Sequence, residues 1–318
     1  MSPLLLLACT GPSDDTASGV AWEPAFDTTS TGALSGVWGA APDDVWIVGG
    51  SDAGAEIYHY DGSTWSPVDA PDVALLVWVY GFAPDDVWAV GQDGAVVHWD
   101  GASWTVFDAG TTRDLWGVWG GASNDIWIVG GEVTGAWPLI LHYDGTAFTE
   151  VALAPEQNLH GGVALFKVWG IGSRTFAVGD LGLIVSWDGT QWVEQFGGAL
   201  ANDDFVSLWG TSEDHIVAVG GRGNGRLATF DGSAWTTQMP SGLTGLNAVY
   251  MTDPDTAIVG GIYGYTGTFD PGTSALEADA VVSPYDIHAI WCDGASACYG
   301  VGGKFLAPYA GVAIRRAL

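Results

Sequence analysis

A unit of roughly forty residues recurs seven times along the chain, and no other feature narrows the possible folds so far. A clear copy reads LSGVWGAAPDDVWIVGG from Leu34 and continues IYHYDGSTWSPV from Ile57. Aromatic anchors align at Trp38, Tyr80, Trp119, Trp169, Trp209, Tyr250 and Trp291, with gaps of 42, 39, 50, 40, 41 and 41 residues. Each full unit holds four short strand-like runs bounded by turn residues. That period with four strands per unit is a propeller signature, not that of a helical solenoid. The predicted fold is all-β: a seven-bladed β-propeller over residues 20–318, built of four-stranded antiparallel blades.

Each unit reads as strands A to D. Strand A carries the anchor and strand B resembles DVWIVGG. Strand C alternates, as in Ile57-Tyr58-His59-Tyr60, and strand D follows with a Trp such as Trp65. Between C and D stands Asp-Gly, at 61–62, 100–101, 144–145, 188–189 and 231–232, a strong signal for a two-residue hairpin with both turn residues at positive φ. The seventh unit ends without a strand D. Val20-Ala21-Trp22-Glu23-Pro24 matches the strand-D pattern Trp65-Ser66-Pro67, so the N-terminal strand is expected to complete the last blade. Closing the ring removes an open sheet edge. In the same blade, pairing of Trp291 with Tyr299 sets Cys292 opposite Cys298, within reach of a structural disulfide. No CxxC redox motif is present.

Composition bears on partners. The chain has 37 acidic and 8 basic residues, a net charge of −29. Such a chain repels phosphate backbones and anionic lipid, which excludes nucleic acid as a ligand class. Its acidic side chains also keep an apolar, strand-rich protein dispersed, and the chain is expected to be monomeric.

The chain opens MSPLLLLACT, in which Leu6-Leu7-Ala8-Cys9 resembles a bacterial lipobox. The resemblance implies a signal segment over 1–9 and a lipid on Cys9. Residues 10–19, TGPSDDTASG, read as a flexible linker. The implied location is a bacterial outer membrane or cell surface, with the periplasm as the alternative. The disulfide suits that oxidising setting.

Strand B ending in Gly-Gly (Gly49-Gly50, Gly130-Gly131, Gly220-Gly221, Gly260-Gly261), followed by an aromatic strand and a Trp, resembles kelch repeats. The Asp-Gly-x-x-Trp segments look like the Asp-box hairpins of sialidase-type (BNR) repeats, with the Asp-to-Trp spacing one residue short. The resemblance implies a propeller. Both groups include enzymes and binding scaffolds, so function has to come from sites.

The A–B and C–D turns share one face and are repetitive; the B–C and D–A loops share the other and vary. Variable loops on a rigid frame are where binding concentrates. The repeated His59, His98 and His142 read as structural. Fifteen of the 18 Trp occupy repeat positions, which leaves Trp78, Trp116 and Trp137, all on the variable face. With nearby Asp93 and Glu132 they form a candidate platform for a sugar ring or a protein. Against this stands plain packing at the mouth of the ring. A second candidate cluster is basic: Arg222, Arg226 and Lys304, suited to a carboxylate or sulfate unless acids such as Asp180 pair with it.

No GxSxG, HExxH, P-loop or zinc-spaced set occurs, and no DxDxDG calcium loop. No catalytic residue, cofactor or metal is assigned. The reading is a surface-anchored module that binds a carbohydrate or protein. The alternatives are a hydrolase or lyase acting on polysaccharide through two carboxylates, and a structural or adhesion lipoprotein without a small ligand.

Overall fold

The computed structural model describes residues 21–132, 137–153, 163–196 and 203–318. The expected signal segment, Cys9 and the linker lie outside them. Among the described residues there are seven antiparallel sheets of four strands each, as expected. Adjacent strands A touch one another, so they form the inner wall of the ring. There is no single core. Apolar clusters sit between consecutive blades, for example Trp88, Val118 and Ile128 between the second and third.

The anchor Trp followed by Gly explains how blades join. Trp38 of blade one lies against Gly81 of blade two, where a Cβ would come within 2.6 Å of its ring. Trp291 of blade seven meets Gly39 of blade one in the same way, at 2.5 Å, and Trp119 and Trp169 seat on Gly170 and Gly210. A large ring therefore fits only because the next blade offers bare backbone there.

Blade seven closes with strand Glu23–Pro24, paired to Ala310–Ala317 through Glu23↔Arg315 and Pro24↔Ile314. Trp22 is buried among Cys292, Cys298 and Ile314, and its Nε1–H donates to Asp279 at 3.0 Å. The register Trp291↔Tyr299 and Cys292↔Cys298 is the expected one, and the two sulfurs are bonded with Cα atoms 4.0 Å apart.

The two faces also separate as read. C–D turns touch A–B turns, as where Gly62 faces Asp43 and Gly101 faces Asp85. The C–D turn itself needs correction. Tyr60 pairs with Trp65, so the loop has four residues, 61–64. Gly62 takes φ +87° while Asp61 does not have positive φ. The Asp side chain builds the turn instead: Asp61 Oδ1 accepts N–H bonds from Ser63 and Thr64, both at 2.8 Å. The same cap recurs at Asp100, Asp144, Asp188 and Asp231. Blade six, with its divergent Asp270-Pro271-Gly272, keeps it too, through Gly272 and Thr273. An Asx cap satisfies two backbone donors at once and makes a second positive φ unnecessary.

The repeated His are built into the frame. His59, His98 and His142 lie on Trp46, Trp88 and Trp127, with centroids 4.2, 4.4 and 4.3 Å apart. Each bonds the Asp that opens strand B: Asp44, Asp86 and Asp125, at 2.6, 2.8 and 2.7 Å.

Two outcomes follow. Trp22→Ala should cost about 3–5 kcal/mol, as for other buried Trp truncations, read by denaturant unfolding. The turn carboxylates are held below their ordinary range by the bonds they accept, Asp231 down from 3.8 to about 2. A depressed acid stabilises above its unfolded value and loses that stability as pH falls through its folded value. Replacing Asp100, Asp144, Asp188 and Asp231 with Asn, which also accepts these bonds, should flatten the loss of thermal stability between pH 4 and pH 2. An unchanged slope would remove the turns from the acid response.

Candidate functional site

A β-bulge opens strand A in every blade. In blade one Leu34 pairs with Gly49 and Gly36 with Val48, which leaves Ser35 as the extra residue. The equivalents are Val77, Trp116, Phe166, Val206, Asn247 and His288. A bulge re-aims its extra side chain. Here all seven line one cavity of about 400 Å³ at the mouth of the ring, on the variable face. The repeat thus supplies seven equivalent positions, and the sequence fills them unequally.

The wall is aromatic on one side. Trp116 and Phe166 meet edge to face with centroids 6.1 Å apart, and the Trp116 Nε1–H donates to the Gly131 carbonyl at 2.9 Å. Trp78, one residue past the bulge, also lines the cavity, with the Lys167 ammonium over its ring. Lys167 is only 6% exposed. Among the described residues, no acceptor hydrogen-bonds its ammonium and no carboxylate pairs with it. Burial pushes its pKa well below 10.5. Across the cavity, burial and the nearby Lys167 charge push His288 down to about 4, so it is neutral at pH 7. Its ring packs on Phe305 with centroids 4.4 Å apart.

Carboxylates pin the rim. Asp286 Oδ1 accepts the Tyr263 N–H at 2.9 Å and Asp204 Oδ1 that of Leu181 at 3.2 Å. Asp114 Oδ1 does the same for Asp93 at 3.1 Å. Each bond ties the B–C turn of one blade to the start of the next. The three donors have φ between 52° and 59°, a conformation uncommon outside Gly, and the carboxylates help hold it. Burial and a proton shared with Asp180 push Asp204 up to about 6, opposed by Arg222.

The structure sorts the predicted residues. It brings Trp78, Trp116 and Arg222 to the cavity. Trp137 does not join them; it is 62% exposed, and its carbonyl accepts from Arg113. Asp93 borders a separate hollow beside Phe107. Glu132, exposed, and Lys304, half-buried, are not among the residues lining the cavity. Arg222 pairs with Asp204, and buried Arg226 lies 3.5 Å from Asp203, so neighbouring acids engage both. Those acids are Asp203 and Asp204 rather than Asp180. Sequence reasoning missed Lys167, Asn247, His288, Asp204 and Asp286. A signal existed: one repeat position, just after the first apolar residue of strand A, changes chemistry in almost every unit. Among the described residues no cluster of His, Cys, Asp and Glu is arranged to hold a metal. No helix there is long and apolar enough to cross a membrane.

A buried lysine without a partner is costly. Its depressed pKa means that the unfolded chain binds more protons below about pH 10, so the cost is largest at low pH and fades as pH rises. Lys167→Met should therefore raise the thermal midpoint, more at pH 6 than at pH 9. An equal or lower midpoint at both would show that the ammonium is well solvated.

Comparison with known proteins supports the fold. No protein-family model matches the chain, and no curated protein matches it. Solved structures do. A YCF48 bound to D1 peptide is 16% identical with a TM-score of 0.68, covering 94% of this chain and 99% of its own. YCF48 from Cyanidioschyzon merolae is 17% identical with a TM-score of 0.67, covering 93% and 98%. Both are YCF48 rather than kelch or sialidase-type propellers, so the resemblance of the repeats to those groups reaches the fold and stops there. At this identity, what the chain shares with YCF48 is likewise the propeller fold.

Proposed function

We propose that this propeller is a protein-binding module that receives a peptide segment across the mouth of its ring. The observation that carries the reading is an apolar rim beside the cavity. Tyr263, Val281 and Leu306 are 72%, 64% and 76% exposed, and Val282 and Tyr285 lie in the same loops of blades six and seven. Exposed apolar side chains beside a cavity lined by both aromatic and charged groups suit a protein partner. That a YCF48 propeller has been solved with a peptide bound lends the reading a precedent on this fold.

Carbohydrate is the weaker finer reading. Stacking a sugar needs a free ring face, but the Lys167 ammonium covers Trp78, and Trp137 stands apart from Trp116. A two-carboxylate hydrolase is weaker still, since Asp204 and Asp286 are committed to backbone N–H groups. Surface anchoring through Cys9 belongs to the proposal on the lipobox-like Leu6-Leu7-Ala8-Cys9. Labelling with a palmitate analogue, lost in Cys9→Ser, tests that part.

The full chain should select peptides from a mixed peptide and glycan array. Tyr263→Asn, chosen because Asn tolerates positive φ, combined with Leu306→Ser should weaken the selected peptides at least tenfold by fluorescence anisotropy. Glycan hits alone, weakened by Trp116→Ala, would replace a peptide with a sugar as the ligand.

A further inference from the structure

We infer that the cavity at the mouth of the ring is a carboxylate receptor in which Lys167 forms a buried ion pair with an acidic group of the ligand. This rests on the peptide-binding reading and names what the occupant brings: an acidic side chain or a chain terminus.

Lys167 is the central observation. Its side chain is more than nine-tenths buried, lines the cavity, and among the described residues has no hydrogen-bond acceptor or carboxylate partner. Buried ammonium groups in folded proteins are otherwise paired. The Trp78 ring beneath it offers attraction to a cation but no acceptor lone pair. Neither acid that lines the cavity pairs with it: Asp204 holds Arg222 and the Leu181 N–H, and Asp286 Oδ1 accepts the Tyr263 N–H. Asn247 and His288 line the same cavity and their side chains make no hydrogen bond among the described residues, so an amide donor and a neutral imidazole share the cavity with Lys167. A carboxylate has two oxygens, one for Lys167 and one for Asn247 or His288, with its carbon chain against Trp116 and Phe166.

Ligand classes differ in what they offer Lys167. A carboxylate draws its buried amine into an ion pair, whereas a neutral amide offers the uncharged amine only a hydrogen bond and an alkylammonium cannot form the ion pair at all, leaving it only Asp204 and Asp286. With a net charge of −29 the protein repels anions at long range, so selection must come from this short-range pairing.

Pairing also moves a proton. Burial favours the neutral amine in the empty cavity, and an arriving carboxylate favours the ammonium, so binding draws a proton onto Nζ from solvent. Four other charged or titratable groups line the cavity. His288 titrates at about 4 and Asp204 at about 6, while Asp286 and Arg222 complete the set. Above pH 7.5 His288 and Asp204 keep constant charge, and Lys167 accounts for the pH response.

The probes are hexanoate, hexanamide and hexylamine, which share a chain and differ in head group. They would be titrated at millimolar concentration into the full chain and followed by Trp fluorescence and calorimetry. Hexanoate should bind at least tenfold more tightly than the other two. Its affinity should fall by up to tenfold per unit between pH 7.5 and 9.5. Calorimetry in two buffers of different ionisation enthalpy should show proton uptake. Lys167→Met, which keeps the stem and fills the space, should lose at least tenfold in hexanoate affinity while its thermal midpoint rises. Equal binding of hexanamide, or a pH-independent hexanoate affinity unchanged in Lys167→Met, would overturn the inference. If array-selected peptides still bound Lys167→Met with parental affinity, the carboxylate receptor would fail while the peptide-binding reading stood. Loss of peptide binding only in the rim variant would separate the two the same way.

Discussion

The architecture depends on one contact, the anchor Trp of one blade lying on the bare backbone of the next. Trp38 on Gly81 and Trp291 on Gly39 set how closely neighbouring sheets approach. Because every such contact runs from one blade to its successor, it gives the ring a direction as well as a spacing. Where it lapses, another aromatic contact replaces it: Met251 stands in blade six where blades one to five have Gly, and Trp209 stacks on Tyr250 at 4.5 Å. Interiors packed to crystal-like density tolerate such exchanges only when the volume is conserved.

That frame lets the mouth vary. The bulge in each strand A takes one residue out of the ladder and turns it inward, so its identity is released from the pairing of strands A and B. Ser35, Trp116, Asn247 and His288 can therefore differ while Trp38, Trp119 and Trp291 on the same strands keep their role. Cross-blade carboxylates such as Asp286 then fix the rim loops without occupying the bulge positions.

How much of this was legible follows from what repeats. The blade count, the closing role of Trp22 and the Cys292–Cys298 pairing were readable because each is a departure from a periodic pattern, seen against six other copies. The turn type at Asp61 was misread because a two-residue hairpin and a four-residue Asx-capped loop share the same Asp-Gly dipeptide; the pairing of Tyr60 with Trp65 tells them apart. That acids pair with Arg222 and Arg226 was readable, but not which ones, because Asp203 and Asp204 lie some twenty residues away and meet them only once strands A and B pair. Lys167, Asn247 and His288 were hidden because they come from three blades, 41 to 121 residues apart in sequence, with no local pattern to join them.

The closing blade has a consequence for the order of events. Its sheet draws strands from both ends of the propeller, Glu23–Pro24 on one side and Asp286–Cys292 on the other. His288, on that last inner strand, supplies part of the cavity wall. The cavity therefore cannot close on a partial ring: a chain with six blades made has most of the wall but no enclosure. Assembly of the seam and enclosure of the cavity are one event, so an incompletely made or clipped propeller would leave the mouth of the ring open on one side.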